Sequence, residues 1–369
     1  MKRIKICLIS LTVSPDSQDG AAKVIRALFE YLKKKGHHVK LITGQWNTEL
    51  KEPNIIQFKL IKKRFLWAPH FILQVIKFLL THKFDIIHGN GPKGTLPIIL
   101  SYQKRFISTI HDLGPFEANF SKIPLEKLLI RFVALKAKYI TTVSNFIRKE
   151  FKYFIPKIKT NKIFNLYNGI EDKFKPYPDK AQRLKEKLNI NGPVLLYIGR
   201  ITSYKGIEDM ITAYKKAKNE IPHLNLVIGG NPDFSMQKKY FEWKAKYKEI
   251  YFLGFVPEDE IPYYYSMGDI FITYSYASEG FGLTPIEAIA CGTPVICSSI
   301  SVYKEILQDN AIFVPPKNPS LLANEIINLI KDDEKRSTMI KKAQHFIKRY
   351  TWDSVGKKLE EVYEKLLNH

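Results

Sequence analysis

Two glutamates, Glu279 and Glu287, enclose Gly280, Phe281, Gly282, Leu283 and Thr284 in the stretch SEGFGLTPIEAIACGTPVICS, residues 278–298. It follows Ile270-Phe271-Ile272, an apolar run that predicts a buried strand. Thr284, Pro285 and Glu287 suit the N-cap, first and third positions of a helix. Such a helix start presents free backbone N–H groups and the positive end of the dipole beside a glycine loop, which suits phosphate. The carboxylates suit a different partner. Glu279 at a strand end and Glu287 in the following helix can face one crevice and accept hydrogen bonds from sugar or ribose hydroxyls. Thr-x-x-Glu is equally a capping box, and on that reading Glu287 only caps its own helix.

Other candidates also fall at strand ends. Pro193 to Ile198 predicts a strand closed by Gly199-Arg200, and Tyr204-Lys205-Gly206 opens a helix over Ile207 to Lys216. Arg200 brings planar, multiple donors and Lys205 a mobile point charge, a pair apt for a diphosphate; on a bare surface both would simply be solvated. His111-Asp112 follows the strand-like run Phe106–Ile110, where open α/β sheets place ligand groups. A neutral imidazole there can hydrogen-bond a sugar, although a lone His at a strand end is more often packed.

The elements that must position these groups alternate. Lys2–Ser10 reads as a strand, Thr12–Asp19 as a polar loop, and Gly20 opens a helix with apolar residues at Ala21, Val24, Ile25, Leu28 and Leu32. Gly36 stops it and Val39–Thr43 is the next strand, completing a βαβ unit. Gly20-Ala21 has one glycine of a possible two and is weak as a phosphate fingerprint. Strand-like runs continue at 54–60, 85–88, 138–143 and 162–167. In the second half they recur at Leu224–Ile228 with Gly229-Gly230, at Tyr251–Leu253 with Gly254-Phe255, and at Pro294–Cys297. Helices are predicted at Val302–Leu307, in two more through Tyr350, and as a final amphipathic segment Trp352–Leu367.

The 369 residues suffice for two domains, and 45% apolar with 25% charged content is that of a globular protein. Cys7, Cys291 and Cys297 lack any ligand spacing; Cys7 and Cys297 read as core residues, which fits a reducing cytoplasm. No signal peptide is evident, and the most apolar window, Phe65–Leu80, is broken by Pro69, His70, Gln74 and Lys77, too short to span a bilayer. The net charge of +22 is lopsided: residues 1–180 carry 33 Lys and Arg against 13 Asp and Glu, residues 181–369 carry 25 against 23. An anionic partner for the first half follows. Residues 59–64 (KLIKKR) with Phe65, Trp67 and Phe71, and residues 145–163, mix cations with large apolar groups, the composition of a surface that rests on anionic membrane. For each segment taken singly, solvated lysines over a buried helix face are the commoner arrangement.

Taken in order along essentially the whole chain, these motifs closely resemble the retaining GT-B glycosyltransferases of glycosyltransferase group 1, the GT4 family. The 278–298 stretch is similar to its Glu-x7-Glu signature. The resemblance implies an α/β fold of two Rossmann-like domains facing a cleft. Residues 1–180 would bind acceptor and 181–350 the nucleotide sugar, while 351–369 return to the first domain; Asn168-Gly169-Ile170 resembles the family's step before the linker. It implies that Glu279 and His111 face the donor sugar, that Glu287 holds the ribose, and that Arg200, Lys205 and the backbone of Gly280–Leu283 meet the diphosphate. Gly199 flanks that pair, the loops at Gly229-Gly230 and Gly254-Phe255 lie near the nucleotide base, and Gly20-Ala21 occupies the place of a Gly-Gly pair close to donor phosphates or acceptor.

The implied reaction transfers a hexose from a UDP-, GDP- or ADP-sugar with retention of configuration and no metal or other cofactor, in keeping with the lack of an Asp-x-Asp anywhere in the chain. A lipid-linked or anionic glycan acceptor at the cytoplasmic face of a membrane fits the basic first half. Three other readings stay open: a GT-B sugar-nucleotide epimerase, a basic protein binding nucleic acid or membrane without transferase activity, and an inactive scaffold. No nucleic-acid-binding motif is present, and an inactive scaffold would be expected to have lost Glu279, Arg200 or Lys205.

Overall fold

The computed structural model describes residues 2–15, 19–61, 63, 66–116, 124–277 and 279–368. Lys62, Arg64 and Phe65 of the basic segment, and Ser278, lie outside the described residues. The chain forms two compact units, one of residues 1–169 with 352–369, the other of residues 170–351. The first stretch of unit 1 therefore ends at Gly169, ahead of the boundary expected near Lys180, and the chain returns to that unit from Trp352.

Unit 1 runs β1 (Lys5–Ile9), α1 (Gly20–Lys34), β2 (His38–Gln45), β3 (Ile55–Lys59), α2 (Trp67–Thr81), β4 (Ile86–Asn90), α3 (Gly91–Leu100), β5 (Phe106–Ile110), α4 (Pro124–Lys136), β6 (Tyr139–Thr142), α5 (Asn145–Phe154) and β7 (Ile163–Asn165). Unit 2 continues with α6 (Pro178–Lys187), β8 (Val194–Ile198), α7 (Ile207–Glu220), β9 (Asn225–Gly229), α8 (Gln237–Lys246), β10 (Ile250–Gly254), α9 (Ile261–Met267), β11 (Ile270–Thr273), α10 (Leu283–Ala290), β12 (Val295–Ser298), α11 (Ser301–Leu307), β13 (Ile312–Val314), α12 (Pro319–Lys331) and α13 (Asp333–Phe346). The last helix, α14 (Trp352–Leu367), belongs to unit 1. Lys180 falls inside α6.

Both sheets are parallel. The seven-stranded sheet of unit 1 has the order β3-β2-β1-β4-β5-β6-β7, and the six-stranded sheet of unit 2 the order β10-β9-β8-β11-β12-β13. A parallel sheet covered by helices on both faces needs strands that are apolar throughout. β8 and β11 accordingly read VLLYI and IFIT, and β5 reads FISTI with its Ser108 and Thr109 hydroxyls hydrogen-bonded to Thr95 and Thr141; all three are buried at every residue. In each sheet the order reverses beside the first strand, between β1 and β4 and between β8 and β11. Such reversals open a crevice at the carboxyl ends of the strands. Cys7 and Cys297 are fully buried, and burial pushes both thiols up.

One face of the first sheet is closed by α1 together with α14, whose Leu359, Val362, Tyr363 and Leu366 join Ile6, Leu8, Phe29 and Leu41 in one core. Gly356 lets α14 lie against α1: a Cβ there would sit 2.1 Å from the Tyr31 ring. A polar line runs through this packing. Tyr363 Oη lies 2.8 Å from His88 Nδ1, His88 Nε2 lies 2.6 Å from Thr109 Oγ1, and Thr109 meets Thr141 at 2.7 Å. Burial, then the nearby His111, lowers the His88 pKa from its ordinary 6.5 to about 3. With the folded value depressed, the unfolded chain binds the extra proton first. The stabilisation is therefore complete above pH 6.5 and is lost as pH falls toward about 3.

Tyr363→Phe should cost about 1–3 kcal/mol in urea unfolding, because His88 Nδ1 would keep its burial and lose its partner. The stability of the wild-type chain should decline between pH 6.5 and pH 4, and replacing His88 by an apolar residue should flatten that decline.

Candidate functional site

The candidate residues form two groups, one in each unit. In unit 2, Gly199, Arg200 and Lys205 follow β8, and Glu279 through Thr284 follow β11, on the two sides of the strand-order reversal. The loops are stitched together by Tyr276 N–H donating to the Tyr204 carbonyl over 2.7 Å. Gly206 makes that approach possible: it has φ +63°, and a Cβ would lie 2.3 Å from the Tyr274 carbonyl oxygen. Across this seam Lys205 Nζ donates to Glu279 Oε1 over 2.5 Å, and Ser275 Oγ donates to the same oxygen over 2.6 Å. The two side chains of the ion pair are only 16% and 14% exposed, so each charge depends on the other. Arg200 is exposed, while its carbonyl accepts from Tyr197 Oη over 2.8 Å. The Tyr197 hydroxyl is pushed well above its usual range, chiefly by burial and then by Glu279 and Tyr204, with Arg200 opposing. Glu279 and Arg200 thus act on one buried group.

The helix that opens this loop departs from the expected cap. Thr284 is not the N-cap; α10 begins at Leu283, and its N-cap is Gly282 with φ +81° and no side-chain hydrogen bond. The left-handed turn at Gly282 delivers the chain into the helix earlier than a threonine cap would. Thr284 and Pro285 then lie within the first turn, where the missing proline N–H costs nothing. The capping box does not form. Glu287 lies deeper in the helix, is 4% exposed, and accepts a hydrogen bond from Tyr265 Oη over 3.0 Å. Phe281 is buried with its ring edge-on to Tyr350, so its side chain anchors the loop.

Gly254 and Phe255 close β10, and Phe255 is exposed. The Gly254 carbonyl accepts from Gly230 N–H over 2.7 Å, and Gly199 N–H donates to the Gly229 carbonyl over 3.0 Å. The loops after β8, β9 and β10 therefore form one hydrogen-bonded rim. Two shallow surface concavities of unit 2 lie elsewhere and contain none of the candidate residues.

In unit 1, Gly20 and Ala21 open α1, whose N-cap Asp19 accepts from Ala22 N–H over 2.8 Å. His111 follows β5, and its Nε2 lies 2.6 Å from Asn90 Oδ1 at the end of β4. Burial lowers the His111 pKa to about 4, with the Asp19 carboxylate pulling the other way. The imidazole is neutral at pH 7. Asp112 accepts from Gly114 N–H over 3.1 Å and shapes the loop. Asn90 and Ser275 escaped the sequence reading, as did Tyr303, whose buried Oη lies 2.9 Å from Thr273 Oγ1 and 3.5 Å from Ser275 Oγ. Asn90 alone carried a legible signal, a polar residue just past the strand-like run 85–88.

Residues 179–346, most of unit 2, fit the family model described as glycosyl transferases group 1, and residues 18–174 fit that described as glycosyltransferase family 4. The chain belongs to this family. An uncharacterized glycosyltransferase of Methanocaldococcus jannaschii is 27% identical over 98% of both chains. The alpha-monoglucosyldiacylglycerol synthase of Acholeplasma laidlawii is 27% identical over 95% of this chain and 94% of its own. Among solved structures, Anabaena HepE in complex with UDP and glucose superposes with a TM-score of 0.83 at 20% identity, covering 98% of this chain and all of its own. The fold of this glycosyltransferase is GT-B.

Gly282→Ala is expected to cost about 1–3 kcal/mol in unfolding free energy. The φ of +81° disfavours any side chain, and the new Cβ would lie 2.6 Å from the Tyr303 ring. Urea titration of the variant reads the loss directly.

Proposed function

We propose that this group 1 glycosyltransferase moves a hexose from a nucleoside-diphosphate donor to a lipid-linked or anionic glycan acceptor, with retention of configuration and without a metal ion. The observation that carries the reading is the Lys205–Glu279 pair over the β8/β11 reversal, beside a helix that starts on a left-handed glycine. Arg200, Lys205 and the first N–H groups of α10 supply fixed positive potential for the departing diphosphate, the role a divalent cation fills elsewhere. Glu279 accepts hydrogen bonds from the sugar once Lys205 turns to phosphate. The departing diphosphate oxygen takes the acceptor's proton as the acceptor attacks from the same face, so no covalent nucleophile is assigned.

A membrane acceptor is favoured by unit 1. On α4, Leu125, Leu128, Phe132 and Leu135 are exposed on one face with Arg131 and Lys136 beside them, while Ile130, Val133 and Ala134 are buried. On α2, Leu73 and Leu80 are exposed, whereas Phe71, expected among the surface aromatics, is 1% exposed because it packs under the sheet. No described helix is long and apolar enough to cross a membrane. Apolar groups ringed by cations suit an anionic interface. The relative from Acholeplasma laidlawii carries a diacylglycerol product in its name, which agrees with this acceptor class.

Thermal-shift binding against UDP-, GDP- and ADP-hexoses tests the donor half. Stabilisation by one base class, unaffected by EDTA and abolished in Arg200→Ala/Lys205→Ala, is expected; no shift with any of them at millimolar concentration overturns it. Cosedimentation with vesicles tests the membrane half. Binding to phosphatidylglycerol but not phosphatidylcholine is expected, weakened about tenfold or more by Leu128→Ser/Phe132→Ser; equal binding to both lipids, or to neither, rules it out.

A further inference from the structure

The hydrogen bonds around Asn90 determine which nitrogen of His111 carries the proton. Ser10 Oγ donates to the Thr12 carbonyl over 2.6 Å, so toward Asn90 it can only accept. The Ala21 carbonyl can only accept as well. Asn90 Nδ2 reaches both, at 3.0 Å and 3.2 Å, which uses its two N–H groups and fixes the orientation of the amide. Asn90 Oδ1 is thereby turned toward His111, and the 2.6 Å contact requires His111 Nε2 to be the donor. A neutral imidazole that donates at Nε2 has a bare lone pair at Nδ1. Among the described residues nothing hydrogen-bonds to that nitrogen.

We propose that Asn90 is a positioning residue that holds His111 in the Nε2–H tautomer, so that Nδ1 is presented as an acceptor to a hydroxyl group of the substrate. The inference rests on the reading of His111 as a donor-sugar contact and deepens it. An imidazole that donates would favour phosphate oxygens; one that accepts requires an O–H and repels an anion's lone pairs. His111 thus selects the hydroxylated part of a nucleotide sugar over its diphosphate. The same network gives Ala21 a task, since its carbonyl orients the amide, and ties the loop after β1 to the loop after β5. The charged and titratable groups acting on His111 are Asp19, which favours its protonation, and His88, whose charge is coupled to it.

The test uses the full chain with 15N-labelled histidine. Two-bond 1H–15N correlation spectra at pH 7, with His111→Phe to assign one of the nine imidazoles, report the tautomer independently of activity. A protonated Nε2 with an unprotonated Nδ1 is expected, becoming a mixture of tautomers in Asn90→Leu together with a roughly tenfold fall in kcat/KM. Asn90→Asp, which sets a carboxylate against Nε2, should move the acid limb of the rate profile to higher pH by stabilising the imidazolium. A dominant Nδ1–H tautomer in the wild type overturns the proposal, as does an unchanged imidazole spectrum in Asn90→Leu. The expected tautomer with undiminished turnover in both Asn90→Leu and His111→Phe overturns His111 as a substrate contact, leaving the donor-binding tests above to decide the fate of unit 2's site.

Discussion

In a parallel sheet every strand arrives at the same edge, and every helix must carry the chain back to the other. That directional constraint governs both units. The strands are dry on both faces and hold polar groups only where these pair with one another, as His88, Thr109 and Thr141 do; polar residues that can meet a ligand are pushed to the carboxyl edge, and loops separate only where the strand order reverses. Each unit bridges its reversal with a short polar contact. In unit 2 it is the Lys205–Glu279 ion pair between the loops after β8 and β11. In unit 1 it is the Asn90 amide, joining the end of β4 to the Ala21 carbonyl after β1.

The two bridges solve the problem of burial differently. Lys205 and Glu279 are charged, and each offsets the cost of shielding the other from water, with Ser275 taking up further carboxylate capacity. A ligand that draws off one partner must satisfy the other. In unit 1 His111 and His88 are instead kept neutral by burial, and both nitrogens of His88 and the Nε2 of His111 are met by uncharged amide and hydroxyl groups.

Much of this architecture was legible in the sequence because the strands are continuous apolar runs closed by glycine or polar residues. The expected strand at 106–110 and the final helix at 352–367 coincide with the observed elements. Legibility fell where tertiary context chose among local options. Thr-Pro-x-Glu reads as a capping box, yet a left-handed Gly282 starts the helix ahead of it, and Glu287 satisfies a buried tyrosine instead. The edge strand β13 of unit 2, Ile312–Val314, is too short to announce itself. Phe71 carries the same apolar signal whether it faces solvent or core, and only the packing of α2 decides. Asn90 needs the strand order to be known before it can be paired with Ala21, residues far apart in the chain.

Unit 1 is discontinuous: its seven strands are made first, and the helix that completes its core comes after the whole of unit 2. On the ribosome, the face formed by Ile6, Leu8 and Leu41 leaves the exit tunnel early and has no α14 to cover it. Unit 2 meanwhile has its entire sequence available before Trp352 is added. Ile170 and Thr351, its first and last residues, pair in a β-bridge, so it can close upon itself as an inserted body. The order of synthesis and the order of completion are thus reversed: the strands of unit 1 are made before unit 2 and wait longer than it does for their final shape.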